Sequence, residues 1–226
     1  MNYIVTERGV NLPVYTDMPE GRGPFPVLVV APGLGYNATL PLFSKIAEQC
    51  RSNGIICVRF EWGFFIKNIS PSENYVNEKD DYNSAVKYAK NIPEADTTEI
   101  IIAGKSLGAF VALDYAVRHK DYKALILLTP PLHPPQPPYE IRKRFEGLDE
   151  TNGGVAIIYG DKDPLCHPDK LKELLDKLRV KPTVYRLRGN HSFKGDTQLD
   201  TERNLEDAAM SVVGFVQKVC GQNKRH

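Results

Sequence analysis

Four short apolar runs, at residues 27–31, 55–60, 100–103 and 155–159, constrain this chain more than any other feature. They are rich in β-branched residues and almost unbroken by polar ones, the pattern of parallel strands covered on both faces rather than of strands with one wet side. Ala124–Leu128 and Thr183–Leu187 read as two further strands, and residues 3–7 with 12–15 as an opening hairpin. Between them, apolar residues recur at helical spacing: Leu42, Phe43, Ile46, Ala47 and Cys50; Tyr82, Ala85, Val86 and Ala89; Leu171, Leu174, Leu175 and Leu178; Leu205, Ala208, Val212, Val216 and Val219. Gly54 stands where the first helix needs a left-handed cap, and Pro168 where a helix start is served by a fixed φ. Strand and helix alternate, so the fold class is α/β with a mainly parallel sheet.

At 226 residues the expected organisation is one domain over residues 1–226. Twenty-nine basic residues face 28 acidic ones, with a weak basic tail at Lys224, Arg225 and His226, so neither nucleic acid nor an anionic membrane is expected as a partner. No segment approaches the roughly 20 apolar residues of a membrane helix, and residues 1–13 carry no secretory pattern. The four cysteines, Cys50, Cys57, Cys166 and Cys220, show no metal-ligand spacing and no disulfide framework. These features suit a cytoplasmic protein; they set no oligomeric state.

Chemistry enters at Gly104-Lys105-Ser106-Leu107-Gly108, a G-x-S-x-G that follows the strand at 100–103 and opens a helical stretch from Leu107 to His119. A serine on so sharp a turn adopts a strained backbone, and glycines two residues to either side let strand and helix approach. The hydroxyl then stands above the sheet. A serine in an ordinary strand-to-helix turn is the plain alternative, and the flanking elements weigh against it. The same residues end like a phosphate-binding loop, but Glu99 occupies the position where that motif needs its first glycine.

A serine hydroxyl is a poor nucleophile at neutral pH and needs a base, itself oriented by a carboxylate. After the strand at 155–159 comes Gly160-Asp161-Lys162-Asp163-Pro164, and after Thr183–Leu187 comes Gly189-Asn190-His191-Ser192-Phe193. Of the five histidines only His191 follows a late strand, which makes it the candidate base. Asp163 is the candidate acid because it lies out on the loop, with Asp161 the alternative and a turn-forming role open to either. Oxyanion donors are expected from the amides of Leu107 and of Leu34 in the loop Ala31-Pro32-Gly33-Leu34-Gly35-Tyr36.

Taken together, these three segments resemble the α/β-hydrolase superfamily, and the resemblance runs over residues 27–219. The small size, the Pro32-Gly33-Leu34-Gly35 loop and the G-K-S-x-G elbow are similar to dienelactone-hydrolase-like and other capless hydrolases. The resemblance implies helices on both faces of the sheet and a cofactor-free, metal-free acyl-enzyme mechanism. Small-molecule esters, thioesters or related acyl compounds would be the substrates. Two departures stand out: Pro32 replaces a histidine found in many members, and serine replaces the cysteine of dienelactone hydrolases proper.

Trp62, Phe64 and Phe65 follow the strand at 55–60, at the end of the sheet where ligands bind, and would wall an acyl pocket unless they simply pack. The proline-rich residues 130–138 read as an ordered loop over the site or as a plain rigid connection. About 25 residues separate the strands ending at Leu128 and starting at Val155, too few for a large lid. The alternative to an enzyme is a non-catalytic scaffold of the same fold acting as a binding module.

Overall fold

The computed structural model describes residues 2–221, so the basic tail lies outside the described residues. Eight strands form one sheet: β1 (Asn2–Val5), β2 (Asn11–Asp17), β3 (Phe25–Ala31), β4 (Ile56–Phe60), β5 (Ala95–Lys105), β6 (Ala124–Leu128), β7 (Gly154–Gly160) and β8 (Thr183–Leu187). Their spatial order is β1-β2-β4-β3-β5-β6-β7-β8; β2 runs antiparallel to both of its neighbours, β1 and β4, and every other pair is parallel. The helices are α1 (Pro41–Ser52), α2 (Gly63–Ile66), α3 (Val76–Lys90), α4 (Leu107–Arg118), α5 (Pro168–Lys177) and α6 (Gln198–Val219), with short 3₁₀ turns at Glu73–Tyr75 and Lys143–Glu150.

Burial on both faces explains the unbroken apolar runs. Val27, Val29, Ile100, Ile102, Leu125 and Leu127 point into the layer holding α3 and α4, whereas Leu28, Val30, Ile101, Ala103, Ile126 and Ile158 point at α1 and α6. Nothing larger than the 3₁₀ turn at Lys143–Glu150 is inserted between β6 and β7, so no large cap covers the sheet. No helix among the described residues is long and apolar enough to cross a membrane.

Local signals act where the sequence places them. Gly54 has φ +70°, and the amide of Ile55 donates back to the Cys50 carbonyl at 2.9 Å, closing α1. Pro168 opens α5. Three features differ from expectation. β5 starts at Ala95 rather than Ile100, because Ala95 pairs opposite Phe25 ahead of a register shift; between them Asp96 accepts the Thr98 amide at 2.9 Å, and regular pairing with β3 resumes at Ile100. The hairpin strands run over Asn2–Val5 and Asn11–Asp17. β8 alternates between half-buried and exposed residues, as an edge strand does.

The strand order reverses at β3 and β5, and ligands of open α/β sheets bind outside the carboxyl ends of the strands at such a point. The two loops that leave this crevice are residues 32–36, after β3, and Ser106, after β5.

Candidate active site

Ser106 sits between β5 and α4 with φ 54° and ψ −113°, a conformation that costs a non-glycine residue of order 1–3 kcal/mol. Its amide donates to the Leu128 carbonyl at 2.9 Å, fixing the turn to the neighbouring strand. The flanking glycines are required by space: a Cβ on Gly104 would run into the backbone of Gly108, and one on Gly108 would lie 2.5 Å from the Ala31 oxygen. Ser106 makes no side-chain cap to its own helix. Its Oγ lies instead 2.9 Å from Nε2 of His191.

The other imidazole nitrogen, Nδ1, lies 2.9 Å from Oδ2 and 3.0 Å from Oδ1 of Asp163. The Asp163 carboxylate is fully buried and also accepts the Leu165 amide at 2.9 Å, which leaves Nδ1 as the donor and Nε2 free to accept from the Ser106 hydroxyl. Of the two aspartates, Asp163 therefore reaches His191. Asp161 turns the other way and accepts the Gly189 amide at 3.0 Å, bracing the loop that carries His191.

The loop after β3 passes tightly by this serine: a Cβ on Gly33 would lie 3.3 Å from Ser106 Cβ. Leu34 follows, more than half exposed. Leu107 is the first residue of α4, whose amide is one of the donors a helix leaves without an internal partner. Three side chains from the end of β4 hold the loop. Trp62 Nε1 donates to the Pro32 carbonyl at 2.9 Å, Arg59 Nη1 to the Ala38 carbonyl at 2.5 Å, and Glu61 Oε1 accepts the Ala38 amide at 2.9 Å.

Of the aromatic residues expected at a pocket wall, Trp62 is fully buried against Phe60, Phe64 is buried, and only Phe65 is exposed, at 40%. Trp62 thus serves the loop through its N–H from inside the core. Trp62→Phe keeps a ring there but leaves the Pro32 carbonyl without its donor, an expected cost of about 1–3 kcal/mol. Thermal unfolding should fall by several degrees; an unchanged midpoint would show that this bond holds nothing.

The proline-rich segment packs on the loop that carries Asp163. The buried ring of His133 bonds the Pro134 carbonyl through Nδ1 at 2.7 Å and accepts the His167 amide at Nε2 at 3.1 Å. It is therefore a neutral imidazole, its pKa lowered chiefly by burial. No group of three or more His, Cys, Asp or Glu among the described residues is arranged to hold a metal ion.

Lys105, fully buried beside the serine, and the donor role of Trp62 emerge only with the structure. An ionisable residue at the end of an apolar strand, in step with inward-facing Ile101 and Ala103, was the available signal for the first.

Residues 25–217 match the family model described as an alpha/beta hydrolase domain. The chain is 31% identical over 130 residues to esterase EstD of Thermotoga maritima, a match covering 54% of this chain and 31% of that protein. It thus spans about a third of the length of that curated relative. Among solved structures it is similar to Est1E of Butyrivibrio proteoclasticus bound to ferulic acid, at TM-score 0.74 and 17% identity, over 98% of this chain and all of that one. It is also similar to XC6422 of Xanthomonas campestris, described as a serine hydrolase without lid, at TM-score 0.70 and 21% identity, over 97% and 92% of the two chains.

Proposed function

The chain belongs to the alpha/beta hydrolase domain family, and we propose on that premise that it is a serine hydrolase of small carboxylic esters, thioesters or related acyl compounds. The observation that carries the reading is the unbroken line from Asp163 through His191 to Ser106, with 2.9 Å contacts, on a serine held at φ 54°. A merely structural serine has no need of that strain or of a buried carboxylate behind its histidine partner.

In the reaction, His191 Nε2 takes the Ser106 hydroxyl proton as Oγ adds to the acyl carbonyl. The oxygen that becomes negative is met by the amides of Leu34 and Leu107. Asp163 keeps the Nδ1–H tautomer and stabilises the imidazolium, and His191 then returns the proton to the departing alkoxide or thiolate. Water, deprotonated by the same imidazole, releases the acid from Ser106. This mechanism consumes only ester and water.

A site without a large cap favours small or medium acyl groups. Four free cysteines, three of them buried, accord with a cytoplasmic location as part of the same proposal.

The test is labelling of purified protein with a fluorophosphonate probe, alongside hydrolysis of short-chain p-nitrophenyl esters. Wild type should label and turn over, and Ser106→Ala should do neither. A well-folded wild type that takes no label would overturn the enzyme reading in favour of a binding module.

A further inference from the structure

Lys105 is the residue before the serine and the last of β5, and strand alternation sends its side chain to the same face as Ile101 and Ala103. It is wholly shielded from water, where an ammonium is costly unless it is held by partners. Two partners hold it, and they come from two different loops. Nζ donates to the carbonyl of His191 at 3.1 Å, and lies 4.1 Å from the centre of the Tyr36 ring. Tyr36 belongs to the loop that carries Leu34, and Ser192, next to His191, is close enough to its hydroxyl to offset part of the rise that burial causes in its pKa.

We propose that Lys105 is a positioning residue whose buried ammonium locks the loop of Leu34 to the loop of His191, so that base and oxyanion donors are aligned only while it is charged. The inference rests on the serine-hydrolase reading. Lys105 touches neither substrate nor the Ser106 hydroxyl and acts through its neighbours. The titratable groups facing it are Asp163 from the β7–α5 loop and Tyr36 from the β3–α1 loop, while the β8–α6 loop presents the backbone carbonyl of His191. Burial lowers its pKa to about 8, with Asp163 opposing the shift. The lock therefore weakens at mildly alkaline pH, where the neutral amine loses its attraction to the Tyr36 ring; burial raises the Tyr36 hydroxyl further above its usual range, away from this transition.

The experiment follows the rate of Ser106 phosphonylation, and kcat and KM for p-nitrophenyl acetate, from pH 6 to 10 in wild type, Lys105→Met and Tyr36→Leu. Methionine matches the stem of lysine without charge or donor. Wild type should lose rate above about pH 8. Folded Lys105→Met should be slower at pH 7 by about tenfold or more in kcat, with KM little changed, and should show no alkaline fall. Tyr36→Leu, which removes the ring that favours the cation, should move the fall to lower pH.

A wild-type rate that stays flat to pH 10 overturns the lock, whether or not Lys105→Met folds. So does a folded Lys105→Met with wild-type rates, or one that is slow yet keeps the wild-type alkaline fall. If wild type takes no label at Ser106, the serine-hydrolase reading fails and this inference with it; labelling with any of the three preceding outcomes removes only the role of Lys105.

Discussion

His191→Ala is expected to slow hydrolysis of a short p-nitrophenyl ester by on the order of 10⁴–10⁶-fold, and Ser106→Ala by as much, with the double variant no slower than either. The two side chains meet at a single 2.9 Å contact and act as one unit, so removing either removes the step. Asp163→Asn should cost about 10⁴-fold, because an amide in place of the carboxylate favours the wrong imidazole tautomer. Asp161→Asn is the matched control. Its Oδ1 accepts the Gly189 amide, which an amide oxygen serves nearly as well, so turnover should stay within about threefold of wild type. Steady-state kinetics on the four single variants and the double decide the assignment, and an Asp161→Asn as damaged as Asp163→Asn would sink it.

That pair also marks how far the sequence reaches. The alternation of strand and helix is legible because double-sided burial leaves continuous apolar runs, and Ser106 and Asp163 each follow one of them; His191 follows the half-exposed edge strand β8, whose β-branched and aromatic residues are its only signal. Which aspartate points at His191 depends on the course of a short loop, settled by contacts distant in sequence such as Gly189 N to Asp161 Oδ1 that no local pattern encodes. The cluster at residues 62–65 is ambiguous for a different reason. An aromatic residue reads alike at a pocket wall and in a core, and only the neighbouring Phe60 and the Pro32 carbonyl make Trp62 an interior donor. Lys105 stayed hidden because a lysine at a strand end ordinarily reaches water; here the loops carrying Tyr36 and His191 close over it. Residues 96–99 are polar, yet β5 begins ahead of them because Ala95 pairs with Phe25 across an irregularity that a hydropathy pattern does not show.

The elbow glycines should carry the largest stability effects, and their functional consequences should differ. A methyl on Gly104 meets Gly108 backbone atoms and lies 2.7 Å from the Ala109 nitrogen, and none of these is a flexible side chain that rotates away. The strand and helix must separate, which breaks packing along α4 and β5. An expected cost of about 3–5 kcal/mol follows, beyond the usual range for one added methyl because backbone has to move. For a chain of this size, that lowers the thermal midpoint by roughly 10 °C. Gly108→Ala strikes elsewhere: its methyl meets the Ala31 oxygen at 2.5 Å and the Pro32 oxygen at 2.6 Å, at the root of the loop that presents Leu34. Relief there comes from pushing that loop away from Ser106, so folded Gly108→Ala should label with fluorophosphonate far more slowly than its residual stability implies. Thermal denaturation and labelling rate on the two variants separate these effects. A Gly108→Ala that melts like wild type and labels at the wild-type rate would mean that the loop after β3 has room to give, and that its close approach to the elbow is not what holds the oxyanion donors in place.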